Sequence, residues 1–332
     1  AVRGLLKSQP DDFVVEEVPA YLPCGEGEHL FLWVEKEGVA AEQLVQHVAR
    51  NLGISRQEIG VAGLKDRQAI TRQWISVPAA AEGQVDAVTT QAIRVLERRR
   101  HRNKLKTGHL RGNRFAITLR EVPVEDQAKL PPLLDEIARS GVPNYYGDQR
   151  FGRDGETLRL GLELLRGETA PQTIPFARRK FLLRLALNSV QSMLFNAVVA
   201  DRLRAGQLLT VQPGDLMQVV ESGGVFAVED AAIEQARFES GETVVTGPLF
   251  GPKMKQPTGQ PGDWERSVLE RHGIAADSFA KFPKLTSGAR RPMLLRPNEL
   301  QGTGNGDAGT VTLRFVLPSG CYATVLMREI NK

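Results

Sequence analysis

Apolar residues recur along the first third of the chain at two spacings. Phe13 to Val18 reads as a strand, and His29 to Glu35 has an apolar centre (Leu30, Phe31, Leu32, Trp33, Val34), the pattern of a strand covered on both faces. Ala40 to Leu52 switches to the three-four spacing of a helix, with Ala41, Leu44, Val45, Val48, Ala49 and Leu52 on one side and Gly53 as a natural stop. Ile70 to Val77 alternates again, as do Phe115, Ile117 and Leu119 against Ala116, Thr118 and Arg120. Strands joined by short connections, with a helix among them, predict an α+β fold with hairpins rather than a regular βαβ array.

The middle of the chain changes character. Thr157 to Leu165 and the long run Phe181 to Leu203 read as helices, the second with Leu183, Leu187, Val190, Leu194 and Val198 down one side. Asn188, Ser192 and Asn196 form a polar line on that helix, which either faces a functional cleft or makes hydrogen bonds between elements or to solvent. Short strands follow near Leu216 to Val220 and Val225 to Val228, then a helix at Asp230 to Phe238. Gly247 to Gly262, rich in glycine and proline, reads as a mobile loop. Val311, Leu313, Phe315 and Leu317 then alternate with their neighbours, predicting a strand, a Pro-Ser-Gly turn and a short terminal helix.

A length of 332 residues predicts two domains. No stretch approaches the roughly 18 continuous apolar residues of a membrane span, and the start lacks a charged-then-apolar signal. A cytoplasmic protein without a membrane partner is expected. The two cysteines, Cys24 and Cys321, read as reduced thiols, and the five scattered histidines lack paired metal-ligand spacing, so no metal is expected. Nor is a nucleotide cofactor: no Gly-x-Gly-x-x-Gly follows a strand, and Gly302-Thr303-Gly304-Asn305-Gly306 has no helix after it.

The net charge of +4 is small, but its distribution is uneven. Arg94, Arg98, Arg99, Arg100, Arg102, Lys104, Lys106, Arg111 and Arg114 crowd one segment in which Glu97 is the sole acid. Such charges repel unless a polyanion neutralises them, which suits an RNA backbone.

Upstream of that stripe, Val61-Ala62-Gly63-Leu64-Lys65-Asp66-Arg67-Gln68-Ala69 isolates one carboxylate between two cations after a glycine. The acid is expected on a loop between strands, with Lys65 and Arg67 facing one way and Asp66 the other. Flanking cations favour the ionised carboxylate, as a nucleophile or an electrostatic stabiliser requires.

Four further segments accompany it: Leu5-Leu6-Lys7-Ser8-Gln9-Pro10-Asp11-Asp12-Phe13-Val14-Val15-Glu16-Glu17, Arg111-Gly112-Asn113-Arg114-Phe115, Val142 to Gly152 (Val-Pro-Asn-Tyr-Tyr-Gly-Asp-Gln-Arg-Phe-Gly), and Leu313 to Thr324. In this order the chain resembles the tRNA pseudouridine-13 synthase family, often called TruD. The resemblance runs from about Lys7 to Glu329 and thins between about Gly206 and Arg290. It implies a pseudouridine-synthase-like fold, a mixed and largely antiparallel sheet with helices, split in sequence by an inserted α/β domain. The catalytic domain would then comprise residues 1–140 and 297–332, and the insertion 141–296. It also implies tRNA as the partner, Asp66 as the catalytic aspartate, Lys7 as its cationic partner and Tyr322 as the ring that stacks on the target uracil. Asn113 and Phe115 would shape the uridine pocket, and the Asn144 to Gly152 segment would support the domain junction.

Pseudouridine formation breaks the bond from uracil N1 to ribose C1′, turns the base and rejoins it through C5, without redox cofactor or metal. A single carboxylate can attack C1′ or the base, or stabilise charge on the sugar, and the residues leave these routes open. The base must first leave its stack, which phosphate contacts and aromatic stacking offset. Arg98, Arg99, Arg100, Arg102, Lys104 and Lys106, with some of Arg178, Arg179, Lys180 and Arg184, are expected to bind RNA in a cleft between the domains. An RNA-binding protein without catalysis is the competing reading, under which Asp66→Asn would leave function intact. The same enzyme acting on another RNA position is a third.

Overall fold

The strand-like runs at Phe13, His29, Ile70 and Phe115 lie side by side in one sheet of a computed structural model that describes residues 1–331. In chain order the strands are β1 (Leu5–Leu6), β2 (Phe13–Pro19), β3 (His29–Glu37), β4 (Gly60–Val61), β5 (Ile70–Pro78), β6 (Ile93–His101) and β7 (Leu110–Arg120). Next come β8 (Val142–Pro143), β9 (Leu216–Val219), β10 (Val225–Ala227), β11 (Thr243–Leu249), β12 (Ala289–Pro292) and β13 (Leu294–Leu295). The chain closes with β14 (Asn298–Asn305), β15 (Thr310–Pro318) and the helix Ala323–Ile330. Two units result, one from residues 1–139 with the segment from Arg296 onward, the other from Ser140–Leu295.

In the first unit the strand order is β14-β15-β7-β2-β5-β3-β6, with β1 on β7 and β4 on β5. The β2–β5 pair is parallel and its neighbours antiparallel. The pairing of Phe315 with Phe115, Phe115 with Val15, Val15 with Thr71 and Thr71 with Lys36 draws one row across five strands. On the same face, the next row holds Leu317, Asn113 and Glu17, and beyond them Gln73 and Val34. Further along, Leu30, Leu32, Val34, Ile75 and Val77 pack against Leu44, Val48 and Leu52 of the helix Ala41–Leu52. That helix ends at Gly53, whose φ of 63° is the left-handed conformation the glycine was expected to supply.

Of the elements that the sequence reading did not call, two shape the first sheet. The basic stripe is partly a strand, β6, at the edge of the sheet, and the glycine-rich Asn298–Asn305 is β14. Gly302 there is a packing requirement: a Cβ would stand 2.6 Å from Leu130 and 2.8 Å from Leu134 of the helix Leu130–Ser140.

The second unit has the sheet order β10-β9-β11-β12, plus the β8–β13 pair. Its core is organised by the helix Phe176–Arg204, whose Leu183, Leu187, Val190, Leu194 and Val198 are all buried, as their spacing predicts. By length and composition this helix would pass for a membrane span, but 61% of its apolar window is buried within the fold, so it is a core helix. The Gly247 to Gly262 span is not one loop, because its start belongs to β11 and its end opens the helix Gly259–Arg271. The polar line on the long helix holds a neighbouring segment: Asn196 accepts from Tyr146 N at 2.8 Å and donates to Tyr146 O at 3.0 Å, and Ser192 Oγ accepts from Arg150 at 3.2 Å. Arg291 completes this brace, donating to Asn144 Oδ1 at 2.8 Å with its guanidinium 4.1 Å from the Tyr146 ring centroid.

Candidate active site

The segment from Ala62 to Ala69 connects β4 to β5, and the expected alternation fails: Lys65 is buried while Asp66 and Arg67 are both exposed. Lys65 turns inward, 7% exposed, and its Nζ donates to Glu17 Oε2 at 2.7 Å. Arg67 stays exposed and donates to Gly38 O at 3.1 Å. Asp66 is exposed between them. The loop is fastened from three adjacent strands: Glu17 of β2 takes Lys65, Gln73 of β5 donates to Gly63 O at 3.3 Å, and Lys36 of β3 donates to Asp66 O at 2.8 Å. A carboxylate open to solvent on a backbone held from below is the arrangement a reacting group requires.

The electrostatics follow from burial. Desolvation pushes the Glu17 carboxyl up, and Lys65 partly offsets it. Desolvation pushes Lys36 down to about 8; the Asp66 charge opposes that shift and Lys65 adds to it.

Lys7 sits at φ 60°, a left-handed conformation that costs a side-chain-bearing residue on the order of 1–3 kcal/mol. Its ammonium lies 4.3 Å from the Phe13 ring centroid. Lys7 to Pro10, Glu37, Gly38 and Arg67 to Ala69 line one open cleft of about 580 Å³, which brings Lys7 beside the neighbours of Asp66.

Phe115 is 7% exposed, stacked on Phe315 at 5.3 Å and edge-on to Phe13 at 6.2 Å, so it is a core position of the sheet. Asn113 pairs with Leu317 and Glu17 across the sheet, and its buried Oδ1 has no hydrogen-bond partner among the described residues. Gly112 makes this register possible, since a Cβ there would lie 2.1 Å from Leu317 O. Ser319 N then donates to Arg111 O at 3.1 Å, and the turn delivers Tyr322 to the N-cap of the terminal helix.

The basic stripe is not the unneutralised run that its sequence implies. Arg94 pairs with Glu35, Arg98 with Asp86, Arg99 with Glu97, Arg100 with Glu82 and Arg102 with Glu26, while Lys104 donates to Gln57 O. Acids outside the stripe supply four of these five carboxylates and Glu97 the fifth, so repulsion within the stripe is no argument for a polyanion. Its arginines remain exposed, and Lys104 and Lys106 line a second open hollow of about 540 Å³ with Tyr21, His101 and His109. Arg178, Arg179, Lys180 and Arg184 lie at the start of the long helix of the other unit.

Lys36, Glu17 and Gln73 were missed by sequence reasoning. The signal was present for Lys36: Leu30, Leu32 and Val34 face the core, and a period of two carries Lys36 onto the same face.

The family model for tRNA pseudouridine synthase D (TruD) matches residues 1–173 and 177–330. A tRNA pseudouridine synthase D of Anaeromyxobacter dehalogenans is 41% identical over 330 residues, covering 99% of this chain and 93% of the relative. One from Thermus thermophilus is 41% identical over 335 residues, covering 100% of this chain and 89% of the relative. Among solved structures, a Methanosarcina mazei chain assigned to tRNA pseudouridine synthase D superposes with a TM-score of 0.78 at 27% identity, covering 99% of this chain and 93% of that one.

Proposed function

The chain belongs to the tRNA pseudouridine synthase D (TruD) family, and from that membership we propose that it isomerises uridine to pseudouridine at position 13 of tRNA, with Asp66 as the catalytic aspartate. The observation that carries the assignment of Asp66 is its loop: the carboxylate is exposed while Glu17, Lys36 and Gln73 fix the backbone around it.

In this reading the target uridine leaves its stack and enters beside Asp66, whose carboxylate acts on the sugar or the base as the N1–C1′ bond breaks. The released uracil turns, C5 bonds to C1′, and the C5 proton is lost. Lys7 shares the cleft with Arg67 and acts as the cationic partner of Asp66, and the left-handed backbone that presents it supports a functional placement. Tyr322 stacks on the base. Asn113 Oδ1, buried and unmatched among the described residues, is suited to orienting a neighbouring polar group, and Phe115 backs the pocket wall.

Arg98, Arg99, Arg100, Arg102, Lys104 and Lys106 contact the RNA backbone, exchanging carboxylate partners for phosphates. The hollow between Lys104, Lys106 and the Tyr21, His101 and His109 rings combines cations with flat faces, as single-stranded RNA binding requires. Work on tRNA implies a cytoplasmic location.

Mapping pseudouridines across total RNA, after incubation with the parent and with Asp66→Ala, tests the proposal. A new pseudouridine at tRNA position 13, made by the parent alone, supports it. Modification at another site moves the substrate assignment, and modification by both proteins removes Asp66 from the chemistry.

A further inference from the structure

Lys36 ends the inward-facing series Leu30, Leu32, Val34 and Lys36 on β3, so a cation continues a run of core side chains with 1% of its surface exposed. A buried ammonium is costly unless paired and hydrogen-bonded. Its cross-strand neighbours offer no charge: Thr71 stands opposite on β5 and Ile93 on β6. Glu35 and Glu37, adjacent in sequence, lie on the other face, where Glu35 is held by Arg72 and Arg94. On the shared face, Glu17 is taken by Lys65, and Gln73 of β5 is neutral. Lys36 reaches the loop instead, where Nζ donates to the main-chain oxygen of Asp66 at 2.8 Å. The Asp66 carboxylate and the Lys65 ammonium are the charges that act on it, in opposite senses.

We propose that Lys36 is a positioning residue for Asp66, pinning the loop at the aspartate itself, and that the charge of its ammonium is required for turnover. The inference rests on Asp66 being the catalytic group. A charge-assisted bond to a carbonyl is roughly twice as strong as a neutral one, so loss of the proton loosens the loop where precision matters most. It also removes a positive charge from beneath the carboxylate.

The pH behaviour follows. Burial holds the folded-state Lys36 at about 8, against about 10.5 for a free lysine. It is therefore charged at neutral pH and loses its proton above about pH 8 in the folded protein, while the unfolded chain still holds one. Between those values the unfolded chain binds more protons, so the Lys36 contribution to stability rises with pH as its contribution to catalysis disappears.

Single-turnover rates on tRNA, from about pH 6 to 9.5, test this with the parent, Lys36→Arg and Lys36→Met, recording the thermal midpoint at each pH. The parent should lose activity with a midpoint near pH 8 without losing stability. Lys36→Arg, which stays charged, should carry that alkaline limb to higher pH. Lys36→Met should be at least tenfold slower at neutral pH, lack the limb and bind tRNA as the parent does. A limb at the same midpoint in parent and Lys36→Arg overturns the proposal, as does parental speed in Lys36→Met. Should Lys36→Met fail to fold, the comparison of parent with Lys36→Arg decides alone. Asp66→Ala, assayed alongside, separates the layers: activity in Asp66→Ala defeats the reading of the site, whereas inactivity there with an unshifted limb in Lys36→Arg defeats this inference only.

Discussion

Lys65 Nζ lies 2.7 Å from Glu17 Oε2, with 4% and 0% of the two side chains exposed. The pair ties the loop bearing Asp66 to β2, and the lysine that flanks the aspartate in sequence is thereby committed to the interior. Breaking a buried pair strands the remaining charge at a cost of about 3–5 kcal/mol. Lys65→Met should therefore lower stability by about that amount in urea titrations, and the double variant Lys65→Met, Glu17→Gln should recover part of it. Equal stability in the single and double variants would show that the pair does not hold the loop.

Gly112 lets β15 approach β7 at Leu317, just before the turn that leads to Tyr322. Gly112→Ala forces a methyl group against Leu317 O, which overpacking makes about 1–3 kcal/mol unfavourable. Because β15 must shift to relieve the contact, we expect a raised KM for tRNA along with the stability loss. Unfolding curves and steady-state kinetics read both.

Asp126 anchors the N-terminal segment. Its hydrogen bond to Arg3 Nε at 2.7 Å, followed by that to Lys129, holds its carboxyl far below the usual range. A folded value below the unfolded one gives stability that is present above about pH 3.8 and lost as pH falls further. Asp126→Asn should flatten the acid limb of a stability profile. An unchanged limb would assign acid sensitivity elsewhere.

The basic stripe along the sheet edge makes a salt-dependence prediction. Each phosphate neutralised contributes a slope of roughly 0.7–0.9 in log affinity against log salt. Lys106→Ala should reduce the slope by about one such contact without altering where tRNA is modified. A slope unchanged in both Lys106→Ala and Arg99→Ala would place the RNA away from this edge.

Much of the framework was legible because it follows periodicity. Leu183 to Val198 and Ala41 to Leu52 announce helices, and Phe115, Ile117 and Leu119 announce a strand with one wet face. The edge strand β6 was hidden because its arginines look like a solvated charge run, and the acids Glu35, Asp86 and Glu82 that pair with Arg94, Arg98 and Arg100 come from elsewhere in the chain. β14 was hidden because Gly302 and Gly304 carry no side chain to mark a strand's alternation, and that absence leaves room for Leu130, Leu134 and Gln127. Asp66 stood out through its local motif. Its anchors did not, since only strand register brings Glu17, Lys36 and Gln73 to the same loop.

Tritium release from tRNA labelled at uridine C5 reads the chemistry directly, because the proton at that carbon leaves when the new bond forms. With the parent we expect release that continues in the presence of a chelator and stops in Asp66→Ala at unchanged tRNA binding. Equal release by Asp66→Ala would contradict the assignment of the catalytic aspartate, and absence of release by the parent on a tRNA with uridine at position 13 would contradict the proposed reaction.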